Sequence, residues 1–253
     1  MGFLIMKKLL VKPIPVPTSS KHPPPPNDIL PYHEFSMGII APKGSGKTTV
    51  IANLLHFYRG YFHTILVFSP TVASDEKWDW VKKQKLLAKN LALKKWIEQR
   101  DQKNDKNSIV SPPPASSALQ ELLHDNSEDG TIPEEYFIAD YDENTLKDVM
   151  EQQMKVVKEL KKFGKTKHLA NRILIVFDDL VGSSLFSGKK DNPFKMLNTN
   201  HRHYSCSILM VTQAYREIPK TVRTQFSCVI VFEIANEREV DSIFEENPMN
   251  KIS

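Results

Sequence analysis

The segment Ala41-Pro42-Lys43-Gly44-Ser45-Gly46-Lys47-Thr48 combines small residues, a lysine and a hydroxyl at a spacing suited to holding a phosphate chain. Gly44, Ser45 and Gly46 let successive backbone N–H groups curl around phosphate oxygens, and a helix beginning at Lys47 points the positive end of its dipole at them. The pattern is that of a P-loop with Ala41 in place of the first glycine. In such a loop Lys47 reaches the β and γ phosphates of a nucleoside triphosphate, and the Thr48 hydroxyl holds Mg2+. The candidate nucleotide-binding residues are Pro42, Lys43, Gly44, Ser45, Gly46, Lys47, Thr48 and Thr49. The chain has nine glycines, and two fall in this window, so the placement is not an accident of composition.

A second feature lies far along the chain, where Ile173 to Phe177 runs into Asp178-Asp179. A carboxylate at the C-terminal tip of a buried strand is where P-loop NTPases hold Mg2+, so Asp178 joins Thr48 as a candidate metal residue, acting through a coordinated water. Asp179 occupies the position where P-loop ATPases with an added central strand usually carry a Glu that polarises the attacking water. It is one methylene shorter, which leaves either a competent base with a slightly shifted water or a slow ATPase. Thr212-Gln213 ends the run Ser207 to Val211. A strand lying between the first two would set Gln213 near the γ phosphate, where a neutral amide bonds phosphate or water without adding negative charge. Just before it stands Asn200-His201-Arg202-His203-Tyr204. Arg202, at the entrance of this strand, lies at the opposite end from its own nucleotide and is placed to reach that of a neighbouring subunit in a ring, with Arg216 and Arg223 as rivals. No Cys or carboxylate cluster accompanies His201 and His203, which read as solvated or core histidines rather than ligands. The catalytic candidates are therefore Lys47, Asp178, Asp179, Gln213 and Arg202.

These residues need buried strands to position them. Phe35 to Ala41, His63 to Ser69, Arg172 to Phe177, Ser207 to Thr212 and Cys228 to Ile234 are apolar, β-branched runs without polar alternation, as parallel strands covered on both faces should be. Helix-period segments separate them: Thr48 to Tyr58, the Lys-rich Glu143 to Phe163, and a long helix from a cap at Ser74 or Asp75 to about Arg100 that holds Trp78, Trp80 and Trp96. Tyr136 to Ala139 reads as an edge strand. The alternation predicts a mainly parallel, three-layer α/β sheet. Residues 1–34 are expected to be an extended Pro-rich arm, because prolines withhold amide donors. Residues 35–245 form the α/β domain, interrupted at 101–133 by an Asp-, Asn-, Ser- and Pro-rich insertion, partly disordered and solvent-facing, with one apolar patch at Leu119 to Leu123. Residues 246–253 are a tail.

With 34 basic and 30 acidic residues the formal charge is +4, and 40% of the 253 residues are hydrophobic. That composition excludes a wholly disordered chain, a collagen-like repeat and, with two cysteines, a disulfide scaffold. The charge neither proves nor opposes nucleic-acid binding. No apolar run approaches the roughly 20 residues of a membrane span. Gly2 to Met6 is apolar, but its lysines follow it, the reverse of a secretory signal, and Met6 stands where the myristoylation pattern wants Ser or Thr. A protein kept in a reducing compartment is expected.

MGIIAPKGSGKTT (Met37 to Thr49), ILVFSPT (Ile65 to Thr71), ILIVFDDL (Ile173 to Leu180) and NHRHYSCSILMVTQ (Asn200 to Gln213) together resemble the HerA/FtsK superfamily of P-loop ATPases. Within it they are similar to the genome-packaging ATPases of poxviruses, giant viruses, virophages and Polinton elements. The resemblance spans about residues 35 to 245, and the His-Arg-His stretch feeding a strand that ends in Gln is its most discriminating part. It implies an ASCE-type P-loop NTPase with a core order of 5-1-4-3-2, ATP and Mg2+ as cofactors, a homo-oligomeric ring, and ATP-driven translocation of double-stranded DNA into a capsid. It also implies capsid or packaging partners and a location in the virion or the host-cell cytoplasm or viral factory. Ala41 and Asp179 depart from the common pattern. In that strand order Cys206 and Cys228 flank the P-loop strand on opposite sides, so both thiols are expected to be free. Lys82, Lys83, Lys85, Lys89, Lys94 and Lys95, interspersed with Trp80 and Trp96, are candidates for phosphate contacts to DNA, as are Lys189 and Lys190; a solvated helix face is the plainer reading of any one of them. A helicase-like or remodelling ATPase of the same superfamily, an ATP-binding assembly protein with weak hydrolysis, and a small-molecule kinase are the alternatives.

Overall fold

Six strands build one sheet in the computed structural model, which describes residues 22–89, 91, 93–95, 129–162, 171–180, 182–187 and 192–246. They are β1 (Ser36–Ile40), β2 (Thr64–Phe68), β3 (Phe137–Ile138), β4 (Ile173–Asp178), β5 (Cys206–Thr212) and β6 (Cys228–Val231). Their order is β3-β2-β4-β5-β1-β6, and every neighbouring pair is parallel. Setting aside the two-residue edge strand β3, the order is the one expected for an ASCE-type core. The unbroken apolar runs explain it, because alternate residues of each strand feed two separate cores. Met37, Ile39, Ile65, Val67, Leu174, Val176, Leu209 and Val211 face one layer. Ile40, Leu66, Phe68, Ile175, Phe177, Ile208 and Met210 face the other.

Helices α1 (Lys47–Phe57), α2 (Glu76–Lys82), α3 (Glu143–Lys162), α4 (Pro193–Asn200), α5 (Lys220–Arg223) and α6 (Glu237–Glu246) supply the layers. Helix α1 buries Ile51, Ala52 and Leu55 in the first core. Helix α3 buries Leu146, Met150, Gln153, Val156 and Leu160, a stripe at helical spacing along an otherwise charged rod. Gly38 sits in β1 where a Cβ would come within 2.6 Å of the Phe226 ring, so its bareness lets that ring lie on the sheet.

The long helix expected from Ser74 or Asp75 to about Arg100 is not formed. Asp75 does cap α2, accepting from the Lys77 amide at 3.0 Å, but the helix stops at Lys82. Beyond it the chain is extended: Lys85 bridges Thr131 in antiparallel fashion, and the amides of Leu87 and Ala88 donate to the Gly130 and Phe62 carbonyls. The reason lies in Leu86, Leu87 and Ala88, which are all buried; three successive residues cannot share one helix face. Residues 93–95 are helical again. Trp78 points into the core while Trp80 is exposed; Trp96 lies outside the described residues, as do residues 101–128 of the expected insertion and its apolar patch.

Residues 22–34 pack against the domain, with Pro25 and Leu30 buried. Proline carbonyls still accept hydrogen bonds, and tyrosine hydroxyls provide them: Tyr61 Oη donates to the Pro23 carbonyl at 2.9 Å and Tyr58 Oη to that of Pro31 at 2.8 Å. His33 is buried below the sheet, its ring 2.8 Å from Ser207 Oγ and 2.9 Å from the Ser205 carbonyl. The rest of the arm, residues 1–21, lies outside the described residues. Cys206 and Cys228 are both free, at the starts of the two strands that flank β1, and burial pushes both thiols up.

Candidate functional site

Parallel register determines which strand tips share an edge. Ile40 is level with Thr212, Asp178 with Val211, and Phe68 with Phe177. The loop after β1, the Asp178-Asp179 pair after β4, Gln213 after β5 and Ser69 after β2 therefore rise from the same C-terminal edge, where open α/β sheets bind ligands.

The loop 41–46 is anchored at its base by the Ala41 amide donating to the Thr212 carbonyl at 3.0 Å. It turns over the Pro42 carbonyl, which accepts from the Ser45 amide and, at 2.6 Å, from Ser45 Oγ. Gly44 and Gly46 have φ of 79° and 93°, the left-handed region that favours glycine. A Cβ at either would meet nothing within 4 Å, so space stands open beside the loop. Helix α1 starts with no side-chain cap and no acid in its first turn, leaving its positive end unneutralised toward that space.

Lys47 crosses this space, its side chain only 12% exposed and its Nζ 3.8 Å from Asp179 Oδ2. Gln213 Nε2 donates to both Asp179 oxygens, at 3.0 and 2.7 Å. Asp179 itself has φ of 52°, an uncommon backbone for a non-glycine residue, held by its amide donating to the Val211 carbonyl at 3.0 Å. That twist separates the two acids, because Asp178 stays buried. Ser69 Oγ donates to Asp178 Oδ2 at 2.8 Å, while Asp178 Oδ1 is buried with no hydrogen-bond partner among the described residues.

Desolvation pushes the Asp178 carboxyl up to about 6, the Ser69 hydrogen bond and the Lys47 charge opposing it, the Asp179 and Asp75 charges adding to it. A buried carboxylate oxygen without a donor is costly, and a divalent cation would satisfy it. Among the described residues no three His, Cys, Asp or Glu side chains form an all-protein metal cage. Mg2+ does not need one, since it keeps waters and shares its oxygens with phosphate. The Asp178 carboxylate thus fits that ion, with Thr48 at the start of α1 beside Lys47.

A stability effect follows. The folded protein holds the Asp178 proton more tightly than the unfolded chain, so the burial penalty is absent below about pH 4 and fully present above about pH 6. Without Mg2+, Asp178→Asn is expected to gain on the parent across that interval by about 2–3 kcal/mol. Thermal midpoints of both proteins between pH 4 and 7.5 check this; parallel curves would contradict it.

The structure therefore brings Lys47, Thr48, Asp178, Asp179 and Gln213 to one edge. Arg202 sits at the other end of β5, exposed in the turn that follows α4. Arg223 is fully engaged: Nε and Nη2 donate to Glu246 at 2.6 and 2.8 Å, and the guanidinium lies over Tyr215. Arg216 is exposed just beyond Gln213. His201 is a core histidine with ring contacts to the Asn198 and Glu34 carbonyls, and His203 is exposed. Lys82 donates to Glu134 at 2.7 Å; Lys83, Lys85, Lys89, Lys94 and Lys95 are exposed, and Lys189 and Lys190 lie outside the described residues. Sequence reading missed Ser69 as a site residue. Its signal was available, because a residue following a strand that pairs with the Asp178 strand stands beside that acid.

The fold and loop define a P-loop NTPase. Residues 126–251 match the family profile of the Poxvirus A32 protein, a stretch with the Asp178-Asp179 strand, the His-Arg-His turn and Gln213 that stops short of the phosphate loop. No curated protein matches the chain. Solved structures with a similar fold include the genome packaging NTPase B204 of Sulfolobus turreted icosahedral virus 2 in complex with AMP, at 10% identity over 85% of this chain and 82% of that one, with a TM-score of 0.49. B204 of Sulfolobus turreted icosahedral virus follows at 14% identity, 84% and 82% coverage and a TM-score of 0.46. EssC of Geobacillus thermodenitrificans is 11% identical over 85% of this chain and 35% of that one, with a TM-score of 0.46.

Proposed function

We propose that this chain is an ATPase of viral genome packaging, an oligomeric motor that moves double-stranded DNA into a capsid. The observation that carries the reading is the meeting of Lys47, Asp178, Asp179 and Gln213 at the mouth of an unshielded glycine loop, in a chain whose second half matches the poxvirus A32 profile. Backbone amides from Lys43 to Thr49 cradle the phosphates, and Lys47 sets its charge between the β and γ groups. Thr48 and Asp178 hold Mg2+, which draws charge from the phosphate oxygens when bound. Asp179 accepts the proton of the attacking water, and the Gln213 amide keeps that carboxylate aimed. Arg202, at the far end of the strand, serves the site of the next subunit. Residues 35–245 act as the motor, with the arm and tail as attachments, in the virion or viral factory; exposed lysines beyond α2 touch DNA phosphates without reading sequence.

A second reading has an observation of its own. Asp179 is bound by both Lys47 and Gln213, so an assembly protein that binds ATP and hydrolyses it slowly is also consistent with the site. ATP turnover with and without long duplex DNA separates the two. The motor requires stimulation by DNA, and Arg202→Ala is expected to remove about 10³-fold of turnover while leaving nucleotide affinity and oligomer size unchanged. Full activity in Arg202→Ala sinks the trans assignment; ATP bound without turnover in the parent favours the assembly protein.

A further inference from the structure

The turn between α4 and β5 buries His201 and Ser205 and exposes Arg202 and His203 at its tip. It has hydrogen bonds of its own: the His203 amide donates to the Asn200 carbonyl at 2.7 Å, and the Cys206 amide to that of His201 at 3.0 Å. Yet both buried residues are also gripped by the chain entering β1. The His201 ring spans two carbonyls, its Nδ1 3.1 Å from that of Asn198 in α4 and its Nε2 3.1 Å from that of Glu34. The Ser205 carbonyl accepts from His33 Nε2 at 2.9 Å. Ser207 Oγ accepts from the Glu34 amide at 2.9 Å and lies 2.8 Å from His33 Nδ1. His22 Nε2 completes the clasp, 3.2 Å from Glu34 Oε1 and 3.5 Å from Ser205 Oγ. Glu34 and Ser205 have φ of 70° and 51°, and with Asp179 they are the non-glycine residues of left-handed backbone among the described residues. Such conformations persist where the surroundings over-determine them, commonly at functional sites. Asp179 stands at the nucleotide loop; the other two stand at the base of the Arg202 turn.

We infer that His201 is a positioning residue for catalysis between subunits: by tying the Arg202 turn to the Glu34 backbone, it fixes where that arginine projects toward the nucleotide of the next subunit. Anchors on both sides of Arg202 hold its backbone, so that only its own side chain has to become ordered on meeting a phosphate. The inference rests on the trans reading of Arg202 above. It extends that reading to the proline-rich arm, whose last residues become part of the device.

Two amide side chains separate the bond to Glu34 from mere filling of space. Glutamine sets its nitrogen close to the place of Nε2 and keeps the Glu34 bond, whereas asparagine sets it near Nδ1 and reaches only Asn198. ATP turnover, ATP affinity and oligomer size are measured on the full chain for the parent, His201→Gln, His201→Asn and Arg202→Ala, each alone and co-assembled with an equal amount of Lys47→Ala subunits. His201→Gln is expected to stay within about twofold of the parent, and His201→Asn to lose about tenfold in kcat at unchanged ATP affinity. Lys47→Ala subunits lack a working nucleotide site but carry an intact Arg202 turn. Co-assembly with them should therefore raise turnover per ATP-competent His201→Asn subunit about fivefold, since half of those sites gain an intact neighbour. Arg202→Ala should recover in the same way. Ser207→Ala, which loosens the clasp from β5, should show the same relieved deficit and supplies the test if His201→Asn does not assemble. The role of His201 alone is overturned by a parent-like kcat in His201→Asn, by a His201→Gln as slow as His201→Asn, or by a deficit that co-assembly leaves in place while relieving that of Arg202→Ala. Failure of both mixtures to recover, or a parent without turnover, overturns the trans reading and this inference with it.

Discussion

Replacing Lys47 with alanine is expected to weaken ATP binding at least 100-fold while the fold survives. The lysine ammonium ends 3.8 Å from Asp179, with 12% of the side chain exposed. Its ammonium is a positive side chain at a position where a triphosphate brings several negative charges. Losing a charged hydrogen bond to phosphate costs about 1.5–3 kcal/mol, and two such bonds exceed two decades of affinity. The folded protein loses little, because a partly exposed ion pair near 4 Å contributes at most about 1 kcal/mol. Titration with a fluorescent nucleotide, beside a thermal melt, tests both halves. Affinity within threefold of the parent would show that the loop is only a turn.

Asp179→Asn should leave ATP bound and stop its hydrolysis, with turnover down about 10³-fold, in the range of a lost general base. Asparagine still accepts from the Gln213 amide, so the arrangement persists while the proton acceptor disappears. Asp179→Glu is the informative companion. Its extra methylene brings the carboxylate nearer to the position common in this class of ATPase, and turnover should stay equal to the parent or rise. Single-turnover measurements with saturating Mg2+ and ATP separate these from binding defects. If Asp179→Asn keeps more than a tenth of the parent rate, another group takes the proton.

The phosphate loop was legible because its chemistry is local: a short turn between β1 and α1 with glycines at its two positive-φ positions is written in adjacent residues. The Asp178-Asp179 pair was legible for a similar reason, as a hydrophobic strand followed by acids reports its own burial. The helix after Asp75 was misread beyond Lys82 because a lysine-rich, tryptophan-bearing stretch satisfies helical periodicity on average. Only the facing Gly130-Thr131 segment, distant in sequence, offered Leu87 an extended partner. The buried ending of the proline-rich arm escaped notice for the same reason, since Tyr58 and Tyr61 supply donors that prolines lack.

What the sequence determined by itself was the set of strands, the glycine loop and the identity of the two acids, because each depends on side-chain types within a few residues. What the tertiary structure decided was who stands beside whom. Register placed Ser69 against Asp178, and a left-handed backbone at Asp179 turned that acid toward Lys47 and Gln213. Those neighbours are separated by 34 to 132 positions in the chain, and no local pattern encodes a pairing that the sheet alone creates.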